Sequence, residues 1–116
     1  MSKEVQALQL ALREFADERE WQRFHSPKNL AASLSIEAAE VLEHFQWLTD
    51  EQSQNLSPEQ RDRVALEIAD VLLYLLQLSD KLHIDPLAAA HTKLALNAEK
   101  YPADKARGNS KKYTEL

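Results

Sequence analysis

The sequence predicts an all-α fold, a bundle of four helices. Its 116 residues include one Gly and four Pro, too few for the turns of a β protein, whereas helix-favouring Ala, Leu, Glu, Lys and Gln are abundant. Three of the prolines follow a residue that can cap a helix, and proline suits the first helical turn because it lacks an N–H. These pairs are Ser26-Pro27, Ser57-Pro58 and Asp85-Pro86. Since this length suits one domain of about four helices, we expect a single domain over residues 1–116.

The caps and breakers locate each helix in turn. Ser57 and Gln60 form a capping box that opens the third helix. Pro102 ends the fourth helix, and Gly108 marks an irregular segment after it. The helical core therefore covers about residues 3–100 and a basic tail covers 101–116. The predicted helices span residues 3–23, 27–48, 58–82 and 86–99.

The third helix is the most apolar of the four. One stripe at helical spacing consists of Val64, Ile68, Val71, Leu75, Leu78 and Leu82, and three further leucines, Leu72, Leu73 and Leu76, lie off it. A helix that is apolar on most sides is buried on most sides, and four short helices can hardly enclose it. We therefore expect a homo-oligomer. The alternative is a monomer with exposed leucines.

Charge and hydropathy exclude several classes of partner. The formal net charge is −5, and a protein that binds nucleic acid polymers needs a basic face. No apolar run approaches the roughly 18 residues of a membrane span, and no leader peptide opens the chain. We therefore expect a cytoplasmic protein that binds neither nucleic acid polymers nor membranes.

A repeated carboxylate pattern is the strongest chemical signal. Glu37 and Glu40 stand three residues apart and are followed by Val-Leu, and thirty residues later Glu67 and Asp70 repeat that pattern. Residues at this spacing share one face of a helix. If the two helices pack antiparallel, the four carboxylates converge on one cleft, where they would repel one another without a cation. Oxygen ligands alone favour Mg²⁺ or Mn²⁺. The alternative is four solvated surface acids.

Other kinds of site are excluded by residue type. A thiolate site is impossible without Cys, and one Gly cannot supply a phosphate-binding loop or a dinucleotide motif. Di-iron bundles use Glu-x-x-His pairs. None of the four histidines follows a Glu by three residues; they are His25, His44, His83 and His91.

These carboxylates stand within longer matching blocks. The two carboxylate pairs, ExxE and then ExxD, resemble the signature of the MazG-like, all-α nucleotide pyrophosphohydrolase superfamily. Further blocks resemble its dCTP pyrophosphatase branch and extend the resemblance over nearly the whole chain. They are residues 18–30, Phe45-Gln46-Trp47, 70–75, Tyr101-Pro102 and 110–116.

The resemblance implies a fold, an activity and a site. It implies a MazG-like four-helix bundle, assembled as a homo-oligomer. This enzyme would convert dCTP, or a related and possibly modified pyrimidine deoxynucleotide, to the monophosphate and pyrophosphate, and so cleanse the nucleotide pool. Mg²⁺, with Mn²⁺ as a substitute, would be held by Glu37, Glu40, Glu67 and Asp70. The residues implied to bind substrate are Trp21, His25, Trp47, Tyr74, Lys93, Asn97, Lys100 and Tyr101.

Several points stay open at this stage. Either Glu37 or Glu40 would be the general base. Lys93, Asn97 and Lys100 share one face of the fourth helix, which is either a phosphate-binding edge or a solvated stripe.

Two positions depart from the resemblance. Ile36 stands where many superfamily members have a further Glu, and Leu12 stands where some animal members have a base-facing His. Leu12 keeps a broad-specificity nucleoside triphosphate pyrophosphohydrolase open as an alternative. A non-catalytic oligomerisation or nucleotide-binding module is the other alternative.

Overall fold

The computed structural model describes residues 1–116 and contains helices and no strands. This confirms the all-α prediction. The chain forms four helices of 15 to 24 residues, together with two short helices and two single 3₁₀ turns. In chain order the elements are α1 (Lys3–Glu18), η1 (Gln22–Phe24), α2 (Pro27–Glu43), α3 (Asp50–Gln54), α4 (Pro58–Lys81), α5 (Pro86–Lys100), α6 (Ala103–Ala106) and η2 (Tyr113–Glu115).

The helices begin where the cap-and-proline pairs predict. The hydroxyl of Ser26 accepts a hydrogen bond from the backbone N–H of Asn29 at the start of α2. Ser57 and Gln60 form both bonds of the capping box that opens α4. Asp85 accepts bonds from two backbone N–H groups at the start of α5. The predicted third and fourth helices therefore differ from α4 and α5 by one residue at their ends.

The first predicted helix is too long. It was expected to reach residue 23, but α1 ends at Glu18. Glu20 adopts a left-handed conformation with φ of 55°, and the N–H of Trp21 donates to the carbonyl of Ala16 at 2.9 Å. This is the hydrogen-bond pattern of a Schellman C-cap. Glycine normally fills this left-handed position. Because a glutamate occupies it here, the sequence does not indicate that the helix ends at this point.

The second predicted helix is also too long. It was expected to reach residue 48, but α2 ends at Glu43 and a series of turns follows. Thr49 and Gln52 then form a capping box that opens the short helix α3. The helix α3 is absent from the predicted elements, although Thr-x-x-Gln at 49–52 is the signature of such a box.

The chain divides into two structural units. One contains Ser2–Ile84, in which α1 and α2 both pack against α4. The other contains Asp85–Leu116 together with Met1, and holds α5, α6 and η2. One domain over residues 1–116 and a closed bundle of four helices therefore stay predictions.

The core of the Ser2–Ile84 unit is small, and its position corrects the predicted stripe on α4. Leu76, which was expected off the stripe, is 3% exposed, whereas Ile68 and Leu75 on the stripe are 55% and 40% exposed. The reason is that α1 covers a side of α4 that the stripe omits, where buried Gln9 donates a side-chain hydrogen bond to the carbonyl of Leu76. None of the helices is long and apolar enough to span a membrane.

Candidate active site

Three carboxylates from two helices converge in the Ser2–Ile84 unit. Glu37 belongs to α2, and Glu67 and Asp70 belong to α4. One carboxylate oxygen from each lies within 4.8 Å of the other two. We call these three residues the carboxylate cluster. The sequence analysis placed four carboxylates together, and Glu40 is the one outside the cluster.

The carboxylate cluster contains oxygens that lack partners. Oε2 of Glu37 and Oε2 of Glu67 are both buried and accept no hydrogen bond. Leaving a buried carboxylate oxygen unpaired is costly, so such groups normally pair or coordinate a metal. A set of carboxylate oxygens without nitrogen or sulfur matches a hard divalent cation. The residues present therefore fit a metal centre of that type.

Glu40 interacts with the cluster through Glu37. A hydrogen bond with Glu40 raises the pKa of Glu37 to about 7, and burial and the negative charges of Glu40, Asp70 and Glu67 contribute to the rise. Neighbouring carboxylates that cannot all ionise hold a proton between them. In the metal-free protein the Glu37–Glu40 pair is therefore a proton-binding site at neutral pH.

His44 is a neighbour of the cluster that the sequence analysis missed. It caps the C-terminal end of α2, and its Nε2 lies 3.6 Å from Oε1 of Glu67. His44 follows Glu40 by four residues and Glu37 by seven, so the three share one face of α2. That spacing was visible in the sequence, where His44 served only to exclude a di-iron site.

An apolar cavity of about 360 Å³ lies between α1, η1 and α4, next to the cluster. Asp70 belongs both to the cluster and to the cavity wall. The cavity is therefore continuous with the candidate metal centre. Its other lining residues are Leu8, Ala11, Leu12, Phe15, Ala16, Trp21, His25, Leu73, Tyr74 and Gln77.

Aromatic side chains form one end of the cavity. The ring of Trp21 packs edge-on against Phe15, with centroids 5.7 Å apart, and against His25, with centroids 6.4 Å apart. Tyr74 lies one helical turn after Asp70 on α4. Trp21, His25 and Tyr74, which the resemblance assigns to substrate, thus line one cavity, and Leu12 lines it too.

Trp47 does not line this cavity. It lies in the turns after α2 and is 86% exposed, the most exposed large apolar side chain of the chain. Its contact with substrate stays a prediction.

The four remaining predicted residues belong to the Asp85–Leu116 unit. Lys93, Asn97 and Lys100 lie on α5, and Tyr101 caps its C-terminal end. Within this unit Nζ of Lys100 lies 4.9 Å from the ring centroid of Tyr113, and Tyr101 packs edge-on against the same ring. Their contact with substrate stays a prediction.

Comparison with known proteins identifies relatives over most of the chain. The sequence model of the MazG-like family matches residues 32–116. Two proteins named dCTP pyrophosphatase 1 match over 105 residues, 44% identical in Homo sapiens and 40% identical in Rattus norvegicus. Each match covers 89% of this chain, which spans 62% of the length of those relatives.

A solved structure is also similar. A pyrophosphatase from Archaeoglobus fulgidus superposes with a TM-score of 0.81 at 44% sequence identity, over 88% of this chain and 95% of that one. The family match covers most of the chain and includes all three residues of the carboxylate cluster. The chain belongs to the MazG-like family.

Proposed function

We propose that this protein is a nucleoside triphosphate pyrophosphohydrolase that converts dCTP, or a related pyrimidine deoxynucleotide, to the monophosphate and pyrophosphate. The observation that carries the proposal is the position of Asp70, which faces both the carboxylate cluster and the apolar cavity. A nucleotide joins a flat apolar base to an anionic phosphate chain, so it needs these two environments side by side. The names of the relatives in human and rat support the choice of dCTP.

Mg²⁺ is the proposed cofactor, with Mn²⁺ as a substitute. Glu37, Glu67 and Asp70 would hold it, because one oxygen from each converges and the residues include two buried oxygens without a hydrogen-bond partner. When bound, the cation neutralises phosphate oxygens and so supplies the electrostatic part of phosphoryl transfer. Without it the three carboxylates would repel the triphosphate.

Glu40 is the proposed proton acceptor. It lies outside the carboxylate cluster but within hydrogen-bond reach of Glu37, so it could take up a proton while the other three carboxylates hold the metal. A water molecule attacks phosphorus, the bond between the α and β phosphates breaks, and pyrophosphate leaves. The proton that the water loses passes to the Glu40 carboxylate. Glu37 would be ionised as a metal ligand, and the proton that Glu40 gains could then be shared with it.

The base is proposed to enter the apolar cavity. A stacked base needs an aromatic face, and Trp21 and Tyr74 both line this space. Its polar groups are His25, Gln77, Asp70, the Tyr74 hydroxyl and the indole N–H of Trp21. Trp47 is proposed to close over the base, and Lys93, Asn97, Lys100 and Tyr101 are proposed to meet phosphate or sugar.

Broad base selection is the second candidate. Six residues of the cavity wall offer no side-chain hydrogen bond to a base; they are Leu8, Ala11, Leu12, Phe15, Ala16 and Leu73. A site with few polar groups discriminates weakly between bases, because the wrong base leaves few groups unpaired. A pool-cleansing enzyme that removes modified pyrimidine nucleotides would tolerate such a wall.

A homo-oligomer, a dimer or a tetramer, is the proposed assembly. On α4, Leu66 and Leu72 are 71% and 45% exposed, in addition to Ile68 and Leu75. An isolated monomer rarely leaves so many large apolar groups of one helix in water. Light scattering after gel filtration should give two or four times 13.3 kDa. A monomeric mass would contradict this assembly.

Product analysis tests the activity. The protein is incubated with each deoxynucleoside and ribonucleoside triphosphate, with Mg²⁺ and with EDTA, and the products are separated by ion-exchange chromatography. We expect monophosphate and pyrophosphate, fastest from dCTP, and no products in EDTA. Similar rates for all bases would favour the second candidate. Release of orthophosphate, or no turnover of any nucleotide, would contradict both candidate activities. A non-catalytic nucleotide-binding or oligomerisation module would then be the remaining alternative.

A further inference from the structure

The turn η1 forms one wall of the apolar cavity, and α4 forms another. Trp21 immediately precedes η1 and His25 immediately follows it, and both side chains line the cavity. Tyr74 and Gln77 line it from α4. The width of this end of the cavity is therefore set by how closely η1 is held to α4.

Backbone contacts attach η1 to its neighbours in the sequence but not to α4. On the α1 side, the N–H of Trp21 donates to the carbonyl of Ala16. On the α2 side, the side-chain amide of Asn29 donates to the carbonyl of Phe24 at 3.0 Å. These two bonds join η1 only to α1 and α2, so a different contact has to connect the turn to α4.

One side-chain hydrogen bond spans that gap. Nζ of Lys81, in the last turn of α4, donates to Oε1 of Gln22 at 2.6 Å. Lys81 follows Gln77 by four residues and Tyr74 by seven, so it continues the cavity-lining face of α4. The charge of Lys81 also reaches His25, whose pKa is lowered by burial and by this lysine.

The end of α4 that carries Lys81 is itself anchored. The adjacent carboxylate of Asp80 accepts two bonds from the guanidinium of Arg13 on α1, at 2.7 and 2.5 Å. Paired bonds of this type fix orientation as well as distance. Lys81 therefore reaches Gln22 from a fixed position, although its long side chain is exposed.

We propose that Lys81 and Gln22 are positioning residues, whose hydrogen bond holds η1 against α4 so that Trp21 and His25 form a wall that packs on a planar nucleobase. They act through Trp21 and His25 and do not touch the reacting phosphates. This role predicts an effect on nucleotide binding and little effect on the chemical step. The identity of the ligand rests on the proposed function, whereas the positioning of Trp21 does not.

Steady-state kinetics with dCTP test the role. Lys81→Met removes the donor and keeps the aliphatic stem, and Gln22→Ala removes the acceptor. Each substitution should raise KM about tenfold and leave kcat within about twofold of the unchanged protein. A change in affinity of about tenfold is what loss of one hydrogen bond to a charged group produces. The KM of the double variant should be no higher than that of either single variant, because each substitution removes the same hydrogen bond. A fall in kcat at constant KM, or additive losses, would overturn the proposal.

Two further variants separate positioning from general stability. Lys81→Arg keeps a donor and should bring KM back to within about threefold of the unchanged protein. Lys3→Met, on the exposed start of α1, is the matched control and should change neither constant. Lys81 also lies where a positive charge stabilises a helix end, and Gln22→Ala leaves that charge intact. A KM effect confined to Lys81→Met would therefore overturn the role of the hydrogen bond.

A measurement without nucleotide separates this inference from the proposed activity. In a Trp47→Phe background Trp21 is the only tryptophan, and acrylamide quenching of its fluorescence reports its exposure. Lys81→Met and Gln22→Ala should each raise the quenching constant by about half, as η1 loosens, and Lys81→Arg should not. Unchanged quenching would overturn the positioning role. Absence of turnover in the unchanged protein would instead remove only the proposed activity.

Discussion

The two carboxylate pairs are nearly identical in sequence and different in the structure. On α4, Glu67 and Asp70 both enter the carboxylate cluster. On α2, only Glu37 enters it, while Glu40 bonds to Glu37 from outside. An i, i+3 spacing places two groups on one face of a helix but does not aim both at the same point of a neighbouring helix. A repeated motif can therefore take different roles on two helices: in the proposed function α4 would supply two metal ligands, and α2 would supply one ligand and the proton acceptor.

The largest expected effect comes from breaking the α4 pair. Asp70→Asn removes a charged ligand from the cluster and alters the cavity wall at the same residue. We expect Mn²⁺ affinity, measured by titration calorimetry, to fall about 100-fold, and kcat/KM for dCTP to fall about 1,000-fold. Circular dichroism should show unchanged helicity. Retained metal affinity would mean that Asp70 is not a ligand.

Substitution of Glu40, the residue of the α2 pair outside the cluster, should lower the rate of the chemical step without weakening metal binding. Glu40→Gln removes the proposed proton acceptor and leaves all three cluster carboxylates in place. We expect kcat to fall about 100-fold to 1,000-fold while Mn²⁺ affinity stays within about threefold. Glu43→Gln, on the exposed last residue of α2, is the matched control and should change neither. Equal losses of metal affinity in Glu40→Gln and Asp70→Asn would mean that Glu40 is a metal ligand too and that both pairs bind the metal in the same way.

The proton held by Glu37 predicts how metal-free stability depends on pH. Folding raises the pKa of Glu37 from its ordinary value of 4.5 to about 7, so the folded state holds a proton that the unfolded state releases. The resulting stabilisation is complete below pH 4.5 and is lost as pH rises through 7. Because the proposed cation would bind the deprotonated site, about 5 mM Mg²⁺ should raise the melting temperature more at pH 8 than at pH 6.

Scanning calorimetry at both pH values measures this difference. In Glu37→Gln the Mg²⁺-dependent shift should be small at both values, since that variant lacks the titrating group and one ligand. An Mg²⁺ shift that is larger at pH 6 than at pH 8 would contradict the direction expected from the pKa of Glu37.

The smallest effect is expected at His44, which connects the two helices. Its Nε2 lies 3.6 Å from Oε1 of Glu67, a distance that orients the carboxylate weakly. His44→Gln should lower Mn²⁺ affinity by about twofold to fivefold and leave the fold intact. Calorimetric titration against the unchanged protein measures this. A loss of Mn²⁺ affinity as large as that of Asp70→Asn would show that His44 is itself a metal ligand.

The starts of the helices followed from the sequence because they depend on local chemistry. Ser26, Ser57 and Asp85 each cap a helix through bonds to residues two or three positions later. The end of α1 was missed for the opposite reason. Glu20 holds a left-handed conformation that its residue type disfavours, and the hydrogen bond from the N–H of Trp21 to the carbonyl of Ala16 closes the helix around it.

By itself, the sequence determined an all-helical fold, a family and the two carboxylate pairs that contain the candidate metal ligands. Each of these depends on residue type and on spacing along one helix. Only the tertiary structure decided that Glu40 stands outside the carboxylate cluster, that Asp70 faces both the cluster and the cavity, and that Lys81 reaches Gln22. Those relations join residues of different elements, and the packing of α1, η1 and α2 against α4 sets the distances between them.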